Sequence, residues 1–164
     1  MKDALPQDMT IRNCTPEDHP RIVGVMKDWW GGRDLRGMLP RLFLEHFTNT
    51  SFVVENDRAL IGFLIGFLSP ARPREAYIHF VGVHPAFRAM GVGAYLYHLF
   101  FDLCRQNSRD VVRACTSPVN QGSVAFHKRM GFRISEGNAE MEGILVTLDY
   151  NRPNDPKVLF EIHL

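Results

Sequence analysis

Arg88-Ala89-Met90-Gly91-Val92-Gly93 is the stretch of this chain best suited to hold an anion. It follows a β-prone run, Tyr77 to Val83, closed by His84-Pro85. It opens a segment in which Val92, Tyr95, Leu96, Leu99, Phe100 and Leu103 share one helical face. A strand, a Gly-rich turn and a helix in that order aim unpaired backbone N–H groups and a positive dipole end at a phosphate. Gly91 and Gly93 let the backbone come close, and Arg88 adds a fixed charge. Two histidines, His79 on the strand before the turn and His127 on a later helix, can by residue type exchange a proton near neutral pH. The histidines show no ligand spacing such as HxxxH, so no metal is expected.

The elements that must position these residues are legible in the hydrophobic pattern. Met9 to Cys14 reads as a first strand. Thr15-Pro16-Glu17-Asp18 then starts a helix, with Thr15 as its N-cap, that runs to about Trp29. Trp30-Gly31-Gly32-Arg33-Asp34 interrupts it, and a second helix with Leu39, Leu42, Phe43 and Phe47 on one side is expected. Ser51–Glu55 and Ala59–Leu68 flank Asn56-Asp57-Arg58 as an antiparallel hairpin. Gly62 and Gly66 alternate with bulky residues in its second strand, which calls for something packed close on the bare side. A strand over 76–84 and a helix over 92–107 follow, then a strand over Val111–Thr116. Asn120 caps a short helix that reaches Met130, with Gly131 just past its end. Residues 144–150 and 157–162 are expected as two closing strands. The whole predicts one domain over residues 1–164: an α/β (α+β) fold with a mixed, mostly antiparallel sheet of six to seven strands and helices on both faces.

Composition narrows the class. Hydrophobic residues make up 45% and charged residues 23%, as in a globular domain with a full core. Nineteen basic and eighteen acidic side chains give a net charge of +1, with no basic stripe for nucleic acid. Cys14, Cys104 and Cys115 are odd in number, far apart and without a CxxC pair, which suits reduced thiols and a cytoplasmic location. Cys115 itself reads as a small buried strand residue. The first eight residues lack an apolar core, so no signal peptide is expected. The longest apolar run, 59–68, falls well short of the about 20 residues a membrane span requires. A Rossmann-type dinucleotide enzyme does not fit, since no parallel βαβ repeat precedes the turn.

Two motifs together resemble the GNAT (Gcn5-related) N-acetyltransferases over nearly the whole chain. Val83-x-Pro85-x-x-Arg88-x-x-Gly91-x-Gly93 is similar to their acetyl-CoA pyrophosphate motif. Asn120-x-x-Ser123-x-x-Phe126-His127-x-x-x-Gly131-Phe132 is similar to their second CoA motif. The resemblance implies that Arg88, Ala89, Met90, Gly91, Val92, Gly93 and Ala94 surround the pyrophosphate. Pantetheine would lie along Val81, Gly82 and Val83, where that strand splays from 111–116, and Asn120 would hydrogen-bond the pantetheine arm. Ser123 and His127 would share the Asn120 face of their helix. Gly82, lacking a side chain, would leave room for the ligand. Acetyl-CoA would be the co-substrate, a small-molecule or peptide amine the acceptor, and a homodimer is common among such proteins. No nucleic acid or membrane partner is expected.

Acetyl transfer to an amine sets three physical problems. An alkylamine with pKa about 10.4 must lose a proton before it attacks. The developing oxyanion needs donors aimed in advance, which a backbone N–H near Val81 could supply. The departing thiolate is helped by a proton. His79 is the candidate base: His79-Phe-Val-Gly-Val-His84 resembles a stretch of the arylalkylamine N-acetyltransferases whose first histidine takes that role. The structural alternative is a strand histidine with no part in catalysis. His127 stands where many of the family carry a tyrosine that protonates the CoA sulfur, so it is the candidate acid, the alternative being a packing role. The position of a rival glutamate base is Cys115 here. Trp30 and Arg33, in the Trp-Trp-Gly-Gly loop, are acceptor candidates, the alternative being core anchoring by Trp29 with Trp30 half exposed. Tyr77 is grouped with them without a decisive reading. From another functional class, a catalytically inactive CoA-binding sensor or interaction module stays open.

Overall fold

A computed structural model describes residues 4–164; Met1 to Asp3, part of the N-terminal segment considered above, lie outside the described residues. In chain order the elements are β1 (Thr10–Asn13), α1 (Asp18–Trp29), α2 (Phe43–His46), β2 (Phe52–Asn56), β3 (Ala59–Leu68) and β4 (Glu75–Val83). They continue with α3 (Val92–Gln106), β5 (Val111–Thr116), α4 (Gln121–Arg129), β6 (Arg133–Ile134), β7 (Ala139–Met141), β8 (Ile144–Val146) and β9 (Val158–His163). Among the described residues the main sheet has seven strands in the order β1-β2-β3-β4-β5-β9-β6. All its pairings are antiparallel except β4 with β5.

The sheet separates two cores because strand side chains alternate between its faces. Val54, Leu64, Ile78, Val112 and Phe160 pack with Leu96 and Phe100 of α3 and Val124 of α4. On the other face Val53, Phe63 and Ile65 pack with Ile22, Met26 and Trp29 of α1, and with Leu39 and Leu44. Helices thus cover both faces. The glycines of β3 have the role expected of them: a Cβ on Gly62 would sit 3.1 Å from Val92, and one on Gly66 2.6 Å from the Phe100 ring. The β2–β3 turn has Asp57 and Arg58 at φ 45° and 67°, a geometry whose twist suits a tight hairpin.

Three expectations need correction. Thr15 does not cap α1 with its side chain; the helix starts at Asp18, whose carboxylate accepts the Thr15 N–H at 2.8 Å and bonds Arg12 and Arg21. The expected second helix shrinks to the four residues of α2 flanked by short 3₁₀ turns, and Leu42 is 48% exposed. Pro40 explains this, since it disfavours the α conformation at Leu39 and cannot donate an N–H. Residues 144–150 are not a strand of the main sheet. Ile144–Val146 pairs with β7 in a separate two-stranded sheet, and the edge place beside β9 goes to Arg133–Ile134, just past Gly131 (φ 92°).

Candidate active site

β4 and β5 pair only over Glu75–Tyr77 with Val111–Arg113; beyond Tyr77 the two strands part. The cause lies in β4. Ile65 of β3 pairs with Phe80 and Gly66 with Ile78, so His79 is an extra residue, a bulge that bends its strand. From there Val81, Gly82 and Val83 have no ladder on the β5 side, while the Val81 and Val83 side chains pack toward α3. An extended ligand arm can pair with that free edge. Gly82 has a different role from the one expected: a Cβ there would meet the Phe63 ring at 2.5 Å. Its missing side chain is filled by the core, not held open for a ligand.

Past β4 the chain turns over Pro85–Phe87, and α3 begins on Gly91 with no side chain capping it. Gly91 lies at φ 84° and Ala89 at 62°, a conformation costly for a residue with a Cβ and typical of turns that must aim their backbone. The first-turn N–H groups of Val92, Gly93 and Ala94 therefore lack a capping side chain, as an anion site requires. The Val92 side chain is buried beneath the turn, Met90 is exposed, and a Cβ on Gly93 would lie 3.4 Å from Phe126. These residues fit a pyrophosphate held by backbone donors. Arg88 is exposed and is also anchored through two of its nitrogens, donating to the Trp29 carbonyl and, at 3.3 Å, to the Val83 carbonyl. It ties the turn to the end of α1, because a bare helix C-terminus offers carbonyls that attract a cation.

On α4, Asn120 Oδ1 caps the helix by accepting the Ser123 N–H at 3.2 Å, which leaves the Asn120 amide NH₂ to donate elsewhere. His127 is placed differently from expectation. It is 6% exposed, stacked on Phe160 with ring centroids 4.5 Å apart and planes 2° from parallel. Its Nδ1 donates to the Ser123 carbonyl at 2.8 Å, so the Tyr97 hydroxyl at 2.9 Å donates to Nε2. Burial lowers its basicity. A neutral ring with both nitrogens engaged has no proton to deliver to a thiolate, so the acid role does not fit His127.

His79 lies at the bulge on the α1 face. Its ring stacks on Phe43 at 4.4 Å and 9°, and it touches Phe80. Its Nε2 lies 2.6 Å from the Met38 carbonyl, which can only accept, so Nε2 carries the proton and Nδ1 the lone pair. No protein group among the described residues bonds Nδ1. Burial pushes the imidazole below its ordinary pKa, partly opposed by the Met38 bond, and keeps it in the neutral, basic form. Met38 and Phe43, which orient the ring, could not be assigned that task from the sequence, since both lie about 40 positions away and act through a carbonyl and a ring face.

The tryptophan loop is arranged as the core-anchoring alternative describes. Trp29 is 5% exposed and stacks on Phe63, whereas Trp30 is half-buried and tilts over Phe80 at 5.0 Å, next to His79. Arg33 bonds back to the Trp30 carbonyl at 3.3 Å, and Asp34 is held by Arg36. Tyr77 stacks on Phe67, its hydroxyl made less acidic by burial and the Cys115 thiol. Trp30, His79 and Tyr77 thus share one face of the sheet, and His127 lies on the other. Among the described residues, no helix is long and apolar enough to cross a membrane, and no group of three or more acidic, His or Cys side chains could hold a metal.

Residues 13–132 match the model of the acetyltransferase (GNAT) family. An uncharacterized N-acetyltransferase of Methanocaldococcus jannaschii is 32% identical over 77% of this chain and 62% of its own length. The chain spans about half the length of other curated relatives it matches. Ard1 from Thermoplasma volcanium superposes with a TM-score of 0.77 at 22% identity, over 96% of this chain and 98% of that one. Diaminobutyrate acetyltransferase from Paenibacillus lautus, solved with L-2,4-diaminobutyric acid and coenzyme A, gives 0.70 at 18%, over 96% of both chains. With the splayed strands and the bare helix start in place, the family match is decisive: this chain belongs to the GNAT acetyltransferase family.

Proposed function

We propose that this protein transfers an acetyl group from acetyl-CoA to a primary amine by direct attack, with His79 as general base. The observation that carries the reading is the His79 ring: neutral, oriented by Met38 and Phe43, with Nδ1 unengaged beside the splay. The α3 start and the β4 edge fit the donor's pyrophosphate and extended arm, and the CoA-bound neighbour supports that donor. In the reaction the ammonium form of the amine loses one proton to His79 Nδ1. The neutral nitrogen bonds the acetyl carbon, the C–S bond breaks, and the thiolate leaves with the electron pair and takes up the nitrogen's second proton, directly or through solvent, as the amide forms. A free backbone N–H near Val81 would face the oxyanion. The likeness to proteins named for amine acetylation supports an amine acceptor.

Calorimetry and a thiol-release assay test this. Acetyl-CoA should bind, and Gly91→Asp should abolish binding by putting a carboxylate where the pyrophosphate lies. A panel of amines should release CoA thiol in the intact protein. Tight acetyl-CoA binding with no thiol release from any amine would favour a CoA-binding module instead.

A further inference from the structure

On the face that carries His79, a cavity of about 230 Å³ lies beyond Tyr77, lined among others by Phe67, Arg72, Tyr77, Arg113, Glu136 and Tyr150. Its floor follows from register: Tyr77 pairs with Arg113, and Arg113 with Glu161, on the side of the sheet away from α3. A row of ring contacts joins it to the candidate base, from His79 to Phe43, Phe47, Phe67 and Tyr77, with successive centroids 4.4 to 5.7 Å apart. Tyr150, 44% exposed, adds another ring to the lining.

The charges of the cavity are not equivalent. Arg113 is spent on Glu75, at 2.9 and 3.2 Å, and on Glu161 at 2.9 Å; Arg72 also pairs with Glu75. Glu136, which is exposed, forms no ion pair or hydrogen bond among the described residues and meets Arg113 only through a longer-range charge attraction. An arginine already paired with two carboxylates has little pull left on a third anion, whereas a carboxylate with no cation bonded to it, among aromatic rings, attracts a cation twice, by charge and by ring quadrupole. Tyr77 and His79 are two strand positions apart, about 7 Å.

We infer that this cavity holds a second, cationic nitrogen of the acceptor, so that the substrate is a short diamine or a basic amino acid with a few carbons between its nitrogens. This rests on the acetyl-transfer reading above. One nitrogen lies at His79 and is acetylated; the other stays charged against Glu136, Tyr150 and Tyr77.

Thiol release at saturating acetyl-CoA, with 1,3-diaminopropane, propylamine and β-alanine as acceptors, tests the inference. The diamine should exceed propylamine in kcat/KM by about tenfold, the combined value of a cation–π contact and a charge contact at a partly open site. Glu136→Gln should collapse that ratio to within about threefold, and Glu136→Lys should shift preference toward β-alanine. Glu136 is exposed, so neither change threatens the fold. Equal use of the diamine and propylamine, a ratio unmoved by Glu136→Gln, or a wild-type preference for β-alanine overturns the inference and leaves acetyl transfer standing. If no amine releases thiol, titration of the CoA-loaded protein with 1,3-diaminopropane decides. Binding weakened by Glu136→Gln sustains the cavity and overturns the transfer reading; absence of binding overturns both.

Discussion

The β4 bulge and the α4–β9 core each hold a histidine whose basicity burial lowers, yet the two sites suit opposite purposes. His127 is locked between the Ser123 carbonyl and the Tyr97 hydroxyl and stacked on Phe160. His79 is stacked as closely, on Phe43, but bonds through one nitrogen only. Burial alone does not make a base. What matters is whether a lone pair is left over once the ring has been oriented, and a bulge on a splayed strand leaves one where a helix packed on a sheet does not.

The largest expected effect separates the two directly. His79→Ala should lower kcat at pH 7 by about 10²-fold or more, as loss of a general base does, in protein that is still folded at the assay temperature. The deficit should narrow as pH rises and the amine deprotonates unaided. A loss below about threefold would return His79 to a packing role.

His127→Ala should do the reverse. Removing a buried stacked ring costs about 3 kcal/mol, and it also strands the Tyr97 hydroxyl. Chemical denaturation should show that loss, while kcat of the folded protein at low temperature stays within about threefold. A kcat deficit of about 10²-fold at unchanged stability would restore His127 as a catalytic acid.

Trp30→Ala should cut acceptor kcat/KM by about tenfold, roughly 1.4 kcal/mol, because Trp30 covers Phe80 beside His79. The Kd for acetyl-CoA should hold steady, and a weakened Kd with unchanged acceptor kinetics would place Trp30 on the donor side.

The smallest effect is a pH slope. Both histidines resist protonation when folded, so the unfolded chain takes up protons first as pH falls below about 6.5. The unfolded state binds more protons there, so stability drops on acidification. His127→Phe keeps a ring on Phe160 and removes one titrating group. Its stability should fall less steeply below pH 6.5, by at most about 1.4 kcal/mol per pH unit. Equal slopes would mean that His127 titrates normally.

Local chemistry was readable from the sequence. The Asp57-Arg58 hairpin, the glycine side of β3, the Gly91 helix start and the Asn120 cap follow from φ preferences, side-chain absence and short-range bonds, all properties of neighbouring residues. Where a side chain's partner lies far along the chain, the pattern was silent or misleading. Leu39 to Phe47 kept helical spacing although Pro40 breaks it. The edge of the sheet went to Arg133–Ile134 because β9 had room beside it, and no periodicity marks a two-residue strand. That Arg88 also ties the turn to the end of α1 could not be read from the sequence, because the Trp29 carbonyl lies 59 positions away. His79 and His127 were equal candidates as residue types. Only the tertiary fold could rank them, because the groups that occupy or spare their nitrogens come from Met38, Tyr97 and the backbone of Ser123, brought together by a bulge and two packed cores.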